Sequence, residues 1–425
     1  MTIARPLSRR AQFSGRQPIS ELMRLALARP DLISLAAGFV DQATLPVEAT
    51  RQASEALLAD ETRAKHALQY GTNAGYASLR EAVLQRFIAN DGPQPGKPPT
   101  VEQVILTAGS NQMLHLVGEV LLDPGDFVLC SAPTYFVYLG ILASLGAKAV
   151  GVATDEQGMI PEALDEELGR RERSGQLAQV KAIYITSYYE NPSTVSLSLA
   201  RRAQVVEIAK RHSRHGTIFV IDDAAYRDLR YAGDDLPSLR SFDAEGDTVI
   251  VAETFSKSYS PGVRVGWGIL PPALVEPIAG LKANIDFGSP NFNQHLMANV
   301  MSQGLFEPHV ARLRANYGRK LQTMLSAMDE FLSDIPGARW HAPSGGLYVW
   351  LELPDGLDAG PGGALIEHAL EEGVLYVPGE YCYPAEGQPI RKDRMRLSFG
   401  VQSEANLRRG IEALARAIRR TAQSS

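Results

Sequence analysis

Two cysteines in 425 residues, Cys130 and Cys382, are too few for a disulfide framework or a thiolate metal cluster. Cys130 falls in the apolar run DFVLC, where a core thiol in a reducing compartment is the expected form, and no metal is expected. No stretch is long and apolar enough to cross a bilayer. The basic start MTIARPLSRRAQFSGR also lacks the apolar segment of a secretory signal. A cytoplasmic protein with no membrane role is the expectation. Charge of one sign is missing too. The 42 basic and 48 acidic residues are interspersed, and a formal net charge of −6 leaves no footprint for nucleic acid. There is no internal repeat, and the only loose segment is PDGLDAGPGG, Pro354 to Gly363.

What the chain does have is apolar residues, 45% of the total, at a length that calls for more than one packed unit. From about residue 101, short apolar runs alternate with helical patterns. VEQVILTAG leads into a helix from Asn111 to Leu122, and DFVLCSAP into YLGILASLGA; VKAIYITS, SLARRAQVVEIAKRH, TIFVIDD, TVIVAETF and VGWGIL follow. Near-continuous Val/Ile/Leu runs between helices predict a parallel sheet covered on both faces. After about residue 290 the pattern changes to a long helix, LFEPHVARLRANYGRKLQTMLSAMDEFLSD, then GGLYVWLELP, MRLSFGV and a closing helix. That predicts a smaller α+β unit. The first thirty residues form an arm in which Ile19, Leu22, Met23 and Leu27 have helical spacing before Pro30. The expected division is an arm over 1–48, a large domain over 49–290 and a small domain over 291–425.

The residues that carry chemistry cluster at predicted strand ends, where ligands of α/β sheets sit. TFSKSYSPGVRVGWG places Lys257 just after a buried strand, with Ser256 before it and Arg264 seven residues on. A lysine there can serve as an amine nucleophile towards an aldehyde. Gly109, Ser110 and Asn111 stand between a strand and a helix start, which is a phosphate cradle. Tyr135 follows the next strand and can stack on a flat heterocycle, and Asn191 follows a third. VIDDAAY puts two acids at a strand end before Tyr226, and a carboxylate held there can pair with a protonated ring nitrogen. Arg396, in DRMRLSFG, suits bidentate capture of a carboxylate. Singly, these would be an N-cap, a core tyrosine, a turn, a capping pair and a surface ion pair. Jointly they form a site.

The set resembles the class I/II pyridoxal-phosphate aminotransferases, in the branch similar to aminoadipate and kynurenine aminotransferases. The most specific motifs are SKSYSPGVRVGW, the Asp-x-x-Tyr of DAAY, and LQYGTNAGYASLR; the similarity runs from about Leu32 to the last helix. It implies fold type I, with a mostly parallel seven-stranded sheet sandwiched by helices. It implies that Lys257 condenses with the aldehyde of pyridoxal 5'-phosphate and later shuttles a proton. Ser110, Asn111, Ser256 and Arg264 would hold the phosphate, Tyr135 would stack on the ring, and Asn191 and Tyr226 would bond its phenolate oxygen. Family spacing selects Asp223, three residues before Tyr226, over Asp222 as the ring-nitrogen acid. Arg396 would clamp the substrate α-carboxylate, with Asn191 and Gly38 lining the pocket. Tyr70 would reach the phosphate of a neighbouring subunit, which implies a homodimer with shared sites. The activity implied is transfer of the amino group of an L-amino acid to a 2-oxo acid, 2-oxoglutarate being expected. The alternatives are decarboxylation, oxidation or side-chain replacement on the same scaffold, and a ligand-sensing regulator.

Two departures from the family pattern stand out. Asn191-Pro192-Ser193-Thr194 lacks the usual final glycine, which predicts an altered loop beside the cofactor, and Glu190 before it is expected to be solvated. On the arm, Ser20 stands where related enzymes carry a side-chain-reading arginine, with Arg16 and Arg24 nearby. That shifts the expected donors towards neutral aliphatic or aromatic amino acids. Tyr381 and Tyr383 either shape the pocket or pack as a loop.

Overall fold

The computed structural model describes residues 8–13, 22, 24–25, 28–93 and 96–424. Ser20 and Arg16 of the arm lie outside them. Seven strands of four or more residues build the main sheet: β1 Val104–Thr107, β2 Phe127–Ala132, β3 Lys148–Asp155, β4 Val180–Ile185, β5 Phe219–Asp223, β6 Val249–Thr254 and β7 Gly266–Ile269. Their spatial order is β3-β2-β4-β5-β6-β7-β1. The ladders from β3 to β6 are parallel, whereas β7 runs antiparallel to both β6 and β1. Two short additions enlarge the sheet beyond the seven expected strands. Glu386–Gly387 pairs in parallel with β3, and Gly158–Met159 folds back on its end.

The strands read as unbroken apolar runs because both faces are covered. Leu129, Ile183, Val220 and Val251 join one core; Cys130, Tyr184, Ile221 and Ala252, each one residue on, join the other. The period-2 alternation of a strand sorts each run onto two faces. Helices Ala77–Asp91, Pro161–Arg173, Leu199–His212 and Asn291–Ser302 supply the first core. Ser110–Leu121, Phe136–Ser144 and Pro272–Asp286 cover the second.

The C-terminal part carries an antiparallel sheet of four strands, β8 Arg339–Trp340, β9 Tyr348–Glu352, β10 Val377–Pro378 and β11 Arg394–Ser398, in the order β8-β9-β11-β10. Leu313, Tyr317, Leu321 and Met324 of helix Phe306–Phe331 pack on it with Leu407, Ile411 and Leu414 of the last helix. The arm is stitched in here: Ile33–Ser34 pairs with Val374–Leu375, and the Ser398 amide donates to the Leu35 carbonyl at 2.7 Å. Helix Phe306–Phe331 runs across the join, since Phe306 and Val310 belong to the large core and Leu313 onward to the small one.

Candidate active site

At the carboxyl edge of the main sheet lies a cavity of about 440 Å³. Ser110 and Asn111 reach it from the end of β1, Tyr135 from β2, Asn191 from β4, Asp223 and Tyr226 from β5, and Ser256 and Lys257 from β6. The reversed direction of β7 places Arg264, just before its start, at the same edge. Gly38 from the arm and Arg396 from β11 close the other side. Eleven residues singled out in the sequence thus share one cavity. Tyr70 does not: it is 78% exposed, edge-on to Phe287 with ring centroids 5.5 Å apart.

Lys257 lies at the cavity wall, part-open to it yet densely packed by protein, and its Nζ donates to the Gly38 carbonyl at 2.8 Å. Burial pushes the ammonium below the usual lysine range; Arg396 and Arg264 add to the effect, and Tyr348 opposes it. The two acids of β5 separate as strand neighbours must. Asp222 turns away from the cavity, accepting from Ser187 Oγ and from the Leu239 amide at 2.9 Å. Asp223 accepts from Tyr184 Oη at 2.7 Å and from the Ala225 amide at 3.2 Å. Burial pushes its carboxyl up to about 6, against the pull of the Tyr184 hydrogen bond.

The opposing wall is a polar chain. Arg396 is buried; Nη1 donates to Asn191 Oδ1 and Nη2 to the Ala36 carbonyl, both at 2.8 Å. Its guanidinium lies 4.1 Å from the Tyr348 ring centroid, and its buried Nε has no hydrogen-bond partner. Asn191 Nδ2 reaches Tyr226 Oη at 3.5 Å, which meets Tyr348 Oη at 3.1 Å. Burial raises the Tyr226 phenol. At Tyr348 burial acts in the same sense, but the Arg396 and Lys257 cations outweigh it and the phenol falls below the usual tyrosine range.

The anion cradle depends on two glycines. A Cβ on Gly109 would stand 2.6 Å from Arg264 Nη2, and one on Gly266 would stand 2.6 Å from the Ser110 backbone nitrogen. Arg264, held in a left-handed conformation at φ 50°, donates to the Ala108 carbonyl at 2.9 Å and to Ser256 Oγ at 3.3 Å. Gly266→Ala is therefore expected to destabilise the chain by about 1–3 kcal/mol, because the clash is with backbone. Urea unfolding measures it, and an unchanged midpoint would contradict the close approach.

A buried amine, a buried carboxyl, helix-start N–H groups flanked by serines and an arginine, and a stacking ring are the donor set that pyridoxal phosphate requires. The unpartnered Arg396 Nε adds a waiting site for a carboxylate.

Sequence reasoning missed Tyr184 and Tyr348, which read as ordinary core tyrosines within strands. It also misplaced Glu190. Expected in solvent, Glu190 is 4% exposed, because the turn after β4 folds its side chain under β2 instead of outward. At the missing glycine, Thr194 adopts φ 64°, so the turn keeps a left-handed residue on a β-branched side chain at a cost of about 1–2 kcal/mol. Tyr381 and Tyr383 do not line this cavity. Tyr381 packs on the small-domain core, and Tyr383 lines a separate cavity with Trp340 and Trp350. Arg24 is also absent from the lining.

The model of the family "Aminotransferase class I and II" matches residues 30–414. The aromatic-amino-acid aminotransferase 1 of Thermococcus litoralis is 32% identical over 401 residues, spanning 94% of this chain and 91% of its own. The crystal structure of Pyrococcus horikoshii kynurenine aminotransferase superposes with a TM-score of 0.89 at 32% identity, covering 97% of both chains. That of the α-aminoadipate aminotransferase of Thermus thermophilus, complexed with N-(5'-phosphopyridoxyl)-L-leucine, gives 0.84 at 29% identity over 99% of this chain and 98% of its own.

Proposed function

The chain belongs to the class I and II aminotransferases and is a pyridoxal-phosphate-dependent enzyme; from that premise we propose that it moves the amino group of a neutral aromatic or aliphatic L-amino acid to 2-oxoglutarate. The observation that carries this reading is Arg396. It is a buried guanidinium with no acid partner among the described residues, its Nε unbonded, in a cavity otherwise walled by Ala37, Phe39, Phe136 and Val137. A substrate carboxylate satisfies that charge, and an apolar side chain suits those walls.

The bound cofactor supplies an aldehyde for the amine and a ring that accepts electron density from the substrate α-carbon. Ser110, Asn111, Ser256 and Arg264 would hold its phosphate, Tyr135 would stack on its ring, and Asn191 and Tyr226 would bond its phenolate oxygen. Asp223, with Tyr184 behind it, holds a proton at the ring nitrogen; the charge of that proton brings the carboxylate back towards its ionised form. Lys257, kept towards neutrality by burial, takes the α-proton at Nζ and returns it. Asn191 fixes the Arg396 fork that orients the substrate carboxylate.

A homodimer completes the site in this proposal. Tyr70, Leu68, Phe287 and Ile285 form an exposed apolar set, 51–78% open, from which Tyr70 reaches the partner's phosphate. No helix among the described residues is long and apolar enough to cross a membrane, and the cytoplasm is the proposed location. The test is a panel of amino donors with 2-oxoglutarate, read as glutamate formed. Aromatic or aliphatic donors are expected to give it, and a panel that yields none would reject the acceptor. Arg396→Gln is expected to lower kcat/KM about 10- to 100-fold, mostly through donor KM, the loss of one charge-assisted contact.

A further inference from the structure

The turn between β4 and helix Leu199–His212 holds Asn191, whose amide accepts from Arg396 and donates to Tyr226. Its neighbour Glu190 closes that turn three times. The Glu190 amide donates to the Val195 carbonyl at 3.0 Å, and its own carbonyl accepts from the Thr194 amide at 2.6 Å. Its side-chain Oε2 accepts from Ser193 Oγ at 2.5 Å. The side chain then runs inward, where Oε1 has no hydrogen-bond partner. Facing the carboxyl are Cys130 and Ser131 of β2, Cys382 of the turn Gly379–Cys382, and Ser193 of its own turn; no cation lies among them. A buried carboxylate without a cation, with only the Ser193 and Ser131 hydroxyls to offset its burial, is costly, and the group takes a proton instead.

We infer that Glu190 is a positioning residue that works as a neutral carboxylic acid, its proton keeping the 190–195 turn closed so that Asn191 holds the Arg396 fork. An ionised Glu190 seeks water; the Ser193 contact is lost, the strained Thr194 relaxes, and Asn191 moves off the guanidinium. The strain at Thr194 is what makes opening accessible. Burial pushes the Glu190 carboxyl up to about 8, so the change falls just above neutral pH. Burial keeps the Cys382 thiol up at about 12 and the Cys130 thiol higher still, so neither titrates with it.

The inference rests on the reading that Arg396 binds the substrate carboxylate, and Glu190→Gln tests it. Glutamine keeps the shape and the acceptor for Ser193 but cannot ionise. In the wild-type holoenzyme, donor KM is expected to rise about tenfold per pH unit above pH 8, while kcat changes less. In Glu190→Gln that rise is expected to disappear, with KM at pH 7 within about twofold of wild type.

A second readout needs no activity. The folded-state carboxyl is raised above its unfolded value, so its contribution to stability is present at acid pH and lost as pH rises through about 8. The Tm of Glu190→Gln is therefore expected to gain on wild type from pH 5 to pH 8 and then hold a constant lead. An alkaline KM rise that survives in Glu190→Gln would overturn the inference, as would a Tm difference flat across that range. If Arg396→Gln leaves donor KM unchanged, the carboxylate reading fails instead. The flat or widening Tm difference still decides the state of Glu190 by itself.

Discussion

Lys257→Ala is expected to lower amino-group transfer by at least ~10⁴-fold, the upper range for a positioned acid–base group, since the covalent amine is lost as well. Among the described residues no other amine lines the cavity, and the nearby phenol of Tyr226 is held in its protonated form by burial. Little of the loss should come from misfolding. The side chain makes one hydrogen bond, to the Gly38 carbonyl, and alanine only widens a cavity that is already open there. Single-turnover kinetics measure the rate, and thermal melting checks the fold. Borohydride trapping with peptide mapping is the independent control: wild type is labelled at Lys257 and the variant is not. Label on any other peptide would sink the assignment.

Asp223→Asn is expected to cost about 10²–10⁴ in kcat, because an amide cannot hold the proton at the ring nitrogen. The same change should stabilise the cofactor-free chain. The Asp223 carboxyl is raised to about 6 by burial, so the wild-type fold loses stability as pH climbs from about 4 to about 6, the range in which the unfolded chain has released its proton and the folded chain has not. Asparagine has no such dependence, and the Tyr184 hydroxyl can turn to accept from its amide. The stability lead of Asp223→Asn is expected to grow over that interval by roughly 2–3 kcal/mol and then hold level. Urea midpoints of the cofactor-free proteins at pH 4, 6 and 8 measure it. A catalytic loss without the pH-dependent gain would mean the carboxyl is not costly to bury, and its role would need another explanation.

Much of the site was legible because its residues follow strand ends in short, local patterns. Lys257, Arg264 and Ser256 share one nine-residue stretch, and the acid lies in a strand whose period of two forces Asp222 and Asp223 onto opposite faces. The residues that stayed hidden act across the fold. Tyr184 looks like any tyrosine in a buried strand until β5 is laid beside β4 and its hydroxyl meets Asp223. Tyr348 comes from the other sheet, and only the packing of β9 and β11 puts its ring over Arg396. Glu190 was misread because charge predicts solvent, and only the path of the turn decides otherwise. The main sheet was read from its apolar runs. Its two short additions were not, since two-residue strands such as Glu386–Gly387 carry no periodicity to detect.

That small pairing has a use of its own. β3 would otherwise leave an open row of N–H and C=O groups, which is where foreign strands dock and aggregates begin. Glu386–Gly387 covers part of that row; the Gly387 Cα approaches so closely that a Cβ there would fall 2.3 Å from the Gly151 carbonyl oxygen, and Lys148 faces Glu386 at 3.4 Å. At the far border the Leu106 amide of β1 is taken by the Ala74 carbonyl at 2.9 Å. Both margins of the sheet are thus blunted by segments from elsewhere in the chain, which keeps its edges from recruiting the strands of neighbouring molecules.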